Sequence, residues 1–312
     1  MLENVKFKDA YNEQCKSILS FKFVLATIMK NCLFEYKHCN IDTIMNELIE
    51  KDIGSNGEKI IGYTNDFDDV RMDLFFSAAL PNSNDSIGML INLEPQKTTH
   101  VGYKINNRAL LYSGYELVFQ HGRNVTKKNY DQLKKVVSLW ICFDAPSKEE
   151  ENSITYFHLT KDVVLGYNII EPKDYDKLQI IIIYMGQNSC NHPLLNFIEL
   201  LFTNRIRPNE KIELLQEQFN LNTSSSFNKE VNEMCGLADR IEEQALKKGR
   251  AQGVTQGMAQ GMAQGEFNQA YKNILTIMDS LNLSFEDALN ALKLSNELQI
   301  SCRKKYQEEF NN

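Results

Sequence analysis

Three polar side chains stand at the margins of apolar stretches in this 312-residue chain: Asp73, in the run Arg71 to Phe76, and Glu94 and Gln96, which close the run Met89 to Lys97. Successive side chains of a strand alternate between faces, so Glu94 and Gln96 project together while Leu93 and Lys97 go the other way. A carboxylate ending an apolar strand is costly to bury without a partner. If the two runs pair as a hairpin, Asp73 comes beside Glu94 and two acidic oxygens converge at the edge of a hydrophobic sheet. Such a pair suits Mg²⁺ (or Mn²⁺), a hard cation that takes one or two carboxylates and keeps several waters. A metal held there activates a water and neutralises charge developing on a phosphodiester. Pro95 has no N–H, which implies an edge strand or bulge at that point, and its main-chain carbonyl is a further candidate ligand.

The elements that must position these residues are legible from periodicity. Tyr11 to about Glu50 carries apolar residues at helical spacing, through Ile18, Phe21, Val24, Leu25 and Ile28 and again through Ile41, Ile44, Met45 and Leu48. The spacing predicts strands over Lys59–Tyr63, Val70–Leu80 and Ile87–Gln96, with the turn formers Pro81 to Asp85 making a hairpin of the last two. A helix follows over Lys104–Gln120, a shorter one from Asn129, and strands over Lys135–Phe143, Ile154–Leu159 and Gln179–Tyr184. Helix, strands, helix, strand in this order predicts an α/β fold with a mixed central sheet flanked by helices.

Beyond about His192 the pattern turns helical, over Leu194–Phe219, Phe227–Lys248 and Phe267–Phe310, with Ser284 as an N-cap before Phe285. Between them Gly249, Gly253, Gly257, Gly261 and Gly265 recur every fourth residue. That spacing fits a helix open to close approach by another helix, although each internal glycine costs about 1 kcal/mol relative to alanine; a frayed spacer is the alternative. The organisation expected is a core domain over 1–190, a helical extension over 191–248, the glycine repeat over 249–265 and a helical region over 266–312, with the tail as a route to a homo-oligomer.

Composition bounds the function. Hydrophobic residues make up 43% and charged residues 24% of the chain, ordinary for a protein with a sizeable core. No apolar run is long enough for a membrane span and Met1 to Ala10 holds no signal-peptide core, so a cytoplasmic protein without membrane contact is expected. Seven cysteines without paired spacing argue against a disulfide framework. Cys32, His38 and Cys39 lie close together, but no second cluster with ligand spacing answers them, which argues against zinc. The net charge of −7 is not that of a typical nucleic-acid binder. Between Lys97 and Lys135, however, eight Lys/Arg stand against two acids, a local excess of six positive charges. Its members Lys127, Lys128, Lys134 and Lys135 are candidates for gripping a DNA backbone, with a solvated face as the ordinary alternative.

The motif resembles that of the PD-(D/E)XK nuclease superfamily, with Asp73, Glu94 and Gln96 as its first acid, second acid and third-position residue. Arg108-Ala-Leu-Leu-Tyr112-Ser-Gly, the stretch Tyr130 to Pro146 and the glycine-repeat tail are similar to the recombination-promoting nuclease/transposase family of bacteria. The resemblance spans about Ile18 to Met185 plus the tail. It implies a restriction-endonuclease-like core, Mg²⁺ as cofactor, DNA as partner, and cleavage of DNA in recombination or mobile-element movement. It also implies an acidic residue from the first helical region, for which Glu35 is preferred and Glu47 second. The superfamily commonly has Lys at the third position; Gln96 can hydrogen-bond a water but brings no charge. Arg108 and Tyr112, one turn apart, would share a face toward the site, Arg108 binding phosphate or pairing with Glu94 or Asp73. A catalytically degenerate fold that binds DNA or protein and oligomerises is the competing expectation.

Overall fold

The computed structural model describes residues 2–54, 56–63, 71–123, 125–186, 190–203 and 205–310. Two helices open the chain, α1 (Leu2–Leu19) and α2 (Lys22–Cys32), followed by the short α3 (Ile41–Thr43) and a π turn over Ile44–Leu48. The expected strand at Lys59–Tyr63 is not formed, apart from a single bridge between Phe21 and Lys59. The Glu50 carboxylate takes the N–H groups of Ile61 and Gly62 at 3.0 and 2.6 Å, and Gly62 sits at φ +74°, so the two donors at the middle of the segment are spent on a side chain and no ladder runs through it.

Five strands make one mixed sheet: β1 (Leu74–Ala78), β2 (Met89–Gln96), β3 (Lys135–Cys142), β4 (Ser153–His158) and β5 (Leu178–Tyr184), in the spatial order β1-β2-β3-β5-β4. Residue 70, where the first of them is expected to begin, lies outside the described residues. The predicted hairpin is present, with β1 antiparallel to β2 from Ala78 opposite Met89 to Leu74 opposite Leu93. Gly88 at its turn is obligatory: a Cβ there would lie 2.5 Å from Leu80 Cγ and 2.6 Å from Leu80 N. Strands β2, β3 and β5 run parallel, and their near-continuous apolar sequences fit a sheet covered on both faces. Strand β4 closes the sheet antiparallel to β5.

Helix α4 (Ile105–Phe119) covers one face, over Trp140, Cys142, Ile180 and Ile182. The other face carries the main core, where Ile18, Leu25, Ile28, Leu93, Leu139 and Ile181 meet Phe197, Leu201 and Phe227. The expected helix from Asn129 is one 3₁₀ turn, Tyr130–Gln132, and a short α5 (Pro172–Tyr175) leads into β5. The helical stretch after His192 divides into α6 (Pro193–Phe202) and α7 (Pro208–Phe219). Proline pushes the residue before it out of the helical region, and Arg207 is accordingly extended at φ −64°, ψ 148°.

The chain divides into two compact units, Met1–Ile241 and Glu242–Asn312. Side chains of α6, α7 and the start of α8 (Ser225–Leu281) belong to the main core of the first. The glycine repeat is helical, within α8. The second unit has its own core, formed by Tyr271 and Ile274 with α9 (Phe285–Ala291) and α10 (Asn296–Phe310). Ser284 caps α9 by accepting from the Asp287 N–H at 3.2 Å. Among the described residues no helix is long and apolar enough to cross a membrane.

Candidate functional site

Asp73 stands one residue before β1, at the level where β2 runs on past its partner. The hairpin ladder stops at Leu74 opposite Leu93, so Glu94, Pro95 and Gln96 pair only with β3. Pro95, which has no N–H to offer, therefore sits where a second neighbour strand no longer asks for one. Asp73 turns its main-chain N–H to Glu94 Oε1 at 2.9 Å, which draws the two carboxyls together as the spacing predicts. Glu94 is only 3% exposed. Burial, then the neighbouring Asp73 charge, push its carboxyl up to about 8; the Asp73 N–H and the Arg108 guanidinium pull the other way without cancelling them.

Two cations flank the pair. Lys16, from α1, places Nζ 2.6 Å from Asp73 Oδ1 and 2.9 Å from Glu13 Oε1. Arg108, on α4, donates through Nε and Nη2 to the Tyr112 hydroxyl at 3.0 and 2.8 Å. Its Nη1 reaches the Tyr103 hydroxyl at 3.3 Å and Gln96 Oε1 at 3.5 Å. The guanidinium lies over the rings of Tyr112 and Trp140, 4.9 and 5.2 Å from their centroids. Gln96 gives its amide N–H to the Thr98 carbonyl at 2.8 Å, so this side chain braces the loop after β2 and faces Arg108. The same loop is held by Asp144, which accepts from Thr98 Oγ1 at 2.8 Å and Thr99 N at 2.6 Å.

Helix α4 is turned in a way that its hydrophobicity alone does not favour. Leu110, Leu111 and Val118 face solvent, whereas Ser113 and Glu116 are fully buried. Local preference overridden in this manner marks functional or strained positions. Both carboxyl oxygens of Glu116 and both amide atoms of Asn92 are buried without a hydrogen-bond partner. Burial above all, and then Glu94, hold the Glu116 carboxyl well above the usual carboxylate range. Asn92 is near enough to temper this, though neither group completes a hydrogen bond. Arg108, Tyr112 and Glu116 thus form one inward stripe of α4 along Gln96, Glu94 and Asn92 of β2.

The remaining predicted residues fall elsewhere. Glu35 lies in a 3₁₀ turn after α2 and pairs with Lys135 at 3.2 Å; Lys135 also reaches Asp176 at 3.6 Å. Lys134 pairs with Asp85 at 2.9 Å, and Lys127 and Lys128 are exposed in the loop before β3. Lys135 sits opposite Met89, while Glu94 sits opposite Trp140, so about 16 Å of strand separates the two levels. Glu35 and the lysine pairs are therefore not brought to the acid pair, because β3 runs parallel to β2 and enters the sheet at the far end. Glu47 is exposed on the π turn. Trp140 is a core residue, fully buried with its indole N–H on Ser138 Oγ at 2.9 Å.

Lys16 and Glu116 escaped the sequence reading. Glu116 carried a faint signal, an acid one turn beyond Tyr112 on the face shared with Arg108; Lys16, on an element distant in sequence, carried none. Among the described residues no group of three His, Cys, Asp or Glu could hold a metal ion. The structure brings two carboxyls together, Asp73 and Glu94, a number that Mg²⁺ commonly takes while keeping several waters. Comparison of the chain with protein-family models, with curated proteins and with solved structures finds no match.

Proposed function

We propose that the chain is a Mg²⁺-dependent DNA endonuclease of the PD-(D/E)XK kind, of the recombination-promoting nuclease/transposase type, hydrolysing phosphodiesters. One observation carries this reading: Asp73 and Glu94 meet at the end of β2, joined through the Asp73 N–H and flanked by Lys16 and Arg108. Two acids alone would repel a polyanion. An acid pair between two cations suits a phosphate whose metal counter-ion the acids hold.

Asp73, Glu94 and the Pro95 carbonyl would hold the ion. When bound, it supplies Lewis-acid charge and a water of lowered pKa. Arg108, its fork steadied by Tyr112, Tyr103 and Gln96, binds a phosphate oxygen. Lys16 supplies beside Asp73 the positive charge that Gln96 lacks. Gln96 positions Arg108 and the loop from Lys97 to Lys104. Plasmid cleavage with Mg²⁺ tests the reading: nicking by the wild type and its loss in Asp73→Ala are expected, and equal nicking by both proteins would remove it.

A second reading, a catalytically degenerate nuclease fold that binds DNA or a protein, is favoured by Lys16 seated against Asp73 where a cation would bind. Calorimetric titration with Mg²⁺ or Mn²⁺ separates the two, since the degenerate fold takes up no ion that depends on Asp73 and Glu94.

A further inference from the structure

Strand β4 is the outer strand of the sheet, and its sequence, Ser-Ile-Thr-Tyr-Phe-His, contains no Lys, Arg, Asp, Glu or Pro. Free edges expose unpaired N–H and C=O groups, and monomers usually blunt them with charge, proline or a bulge. None of these residue types guards β4. The chain then leaves the sheet as an arm over 159–171, which turns back at Gly166, where φ is +77°. The arm is a formed element: Lys161 Nζ reaches across it to the carbonyls of Ile170 at 2.5 Å and Asn168 at 3.3 Å. Its apolar side chains nevertheless point outward, with Val164 and Leu165 each 94%, Tyr167 89% and Ile169 78% exposed.

Tyr156 and Phe157, on opposite faces of β4, are also exposed; apolar side chains left open to this extent exceed the few hundred Å² of ordinary monomer patches and approach what a partner hides in a stable complex, about 800 Å². We infer that two copies of this chain associate through the β4 edge and the arm. The occupant is a second copy because an antiparallel strand edge is complementary to itself about a two-fold axis, so like pairs with like and the contact closes at a dimer. Charge favours no other class of partner. Residues 153–171 hold Lys161 against Asp162 and Glu171, too balanced to select nucleic acid and without the basic flanks of a membrane-surface segment. This interface shares no residue with the candidate metal site.

The test uses the full chain. Sedimentation or light scattering at micromolar concentration is expected to give the wild type twice the 36.0 kDa chain mass. The double variant Val164→Asp, Leu165→Asp is expected to halve that mass with an unchanged far-UV spectrum, since both side chains are almost fully exposed and their loss removes no core. Tyr156→Lys, which charges the β4 edge, should do the same. A wild type that stays monomeric at tens of micromolar overturns the proposal. So does an arm variant that stays dimeric, which would move the contact to another surface such as the tail. Hydrogen exchange reads the edge directly: the amides of 153–158 that point away from β5 should be protected in the dimer and exchange on dilution, whereas those that face β5 stay protected in either state. Protection of the outward amides that persists in the monomer would mean that another part of the same chain covers β4, and would also overturn it.

Discussion

The carboxyl of Glu94, pushed up to about 8 by burial and by Asp73, would make the proposed metal binding a proton-releasing step. At pH 7 such a group is about 90% protonated, and the cation needs the carboxylate, so close to one proton leaves for each ion bound. Apparent Mg²⁺ affinity should fall about tenfold per pH unit below 8, which amounts to about 50-fold, or a little over 2 kcal/mol, between pH 8 and pH 6. The same group shapes metal-free stability. Its folded pKa lies above the ordinary 4.5, so the native state binds the extra proton between those values. The stabilising contribution of that proton is fully present below about 4.5 and is lost as pH rises through about 8, a change of a few kcal/mol. Calorimetry at pH 7 in buffers of different ionisation enthalpy counts the released protons, and the expected slope is close to one. A slope near zero, or an affinity that is flat from pH 6 to 8, would refute the reasoning. Glu94→Gln should abolish both the binding and the pH dependence of stability that this carboxyl causes.

Other outcomes follow from the same geometry. Lys16→Met removes the cation 2.6 Å from Asp73 and should tighten Mg²⁺ binding several-fold while slowing nicking; because the pair is partly exposed, melting should shift by no more than about 1 kcal/mol equivalent. Glu116, held well above the usual carboxylate range by burial and Glu94, keeps its proton to higher pH in the folded state than in the unfolded chain, so the stabilising contribution of that proton is lost as pH rises. Glu116→Gln should leave the fold intact at pH 7 and flatten the fall in melting temperature toward alkaline pH, read by thermal circular dichroism. Glu35→Gln should leave nicking within about twofold of wild type, because a fully active site does not use a carboxylate paired at the other end of the sheet. A large loss in that variant would show that Glu35 acts in catalysis.

How much could be read beforehand depended on whether the cause was local. The hairpin, and with it the meeting of Asp73 and Glu94, followed from alternation and a run of turn formers, both properties of neighbouring residues. The i, i+4 pairing of Arg108 with Tyr112 and the Ser284 cap are local in the same sense. The strand expected at Lys59–Tyr63 failed because the carboxylate that takes its N–H groups, Glu50, comes from the end of the preceding helical region, and nothing in the segment itself announces that.

By itself, then, the order of residues determined the mixed sheet between helices and the acid pair on one face of it, since strand period and helix period are set by covalent geometry. Only the tertiary structure decided which end of the sheet each charge occupies. Parallel entry of β3 carried Lys134 and Lys135 away from Glu94, although they follow it in sequence, while packing of α1 brought Lys16 to Asp73. Packing of α4 on the opposite face turned Glu116 inward and left Leu110 and Leu111 in water. Contacts of this kind depend on how whole elements stack, and the stacking minimises the exposed surface of the entire chain rather than that of any one segment.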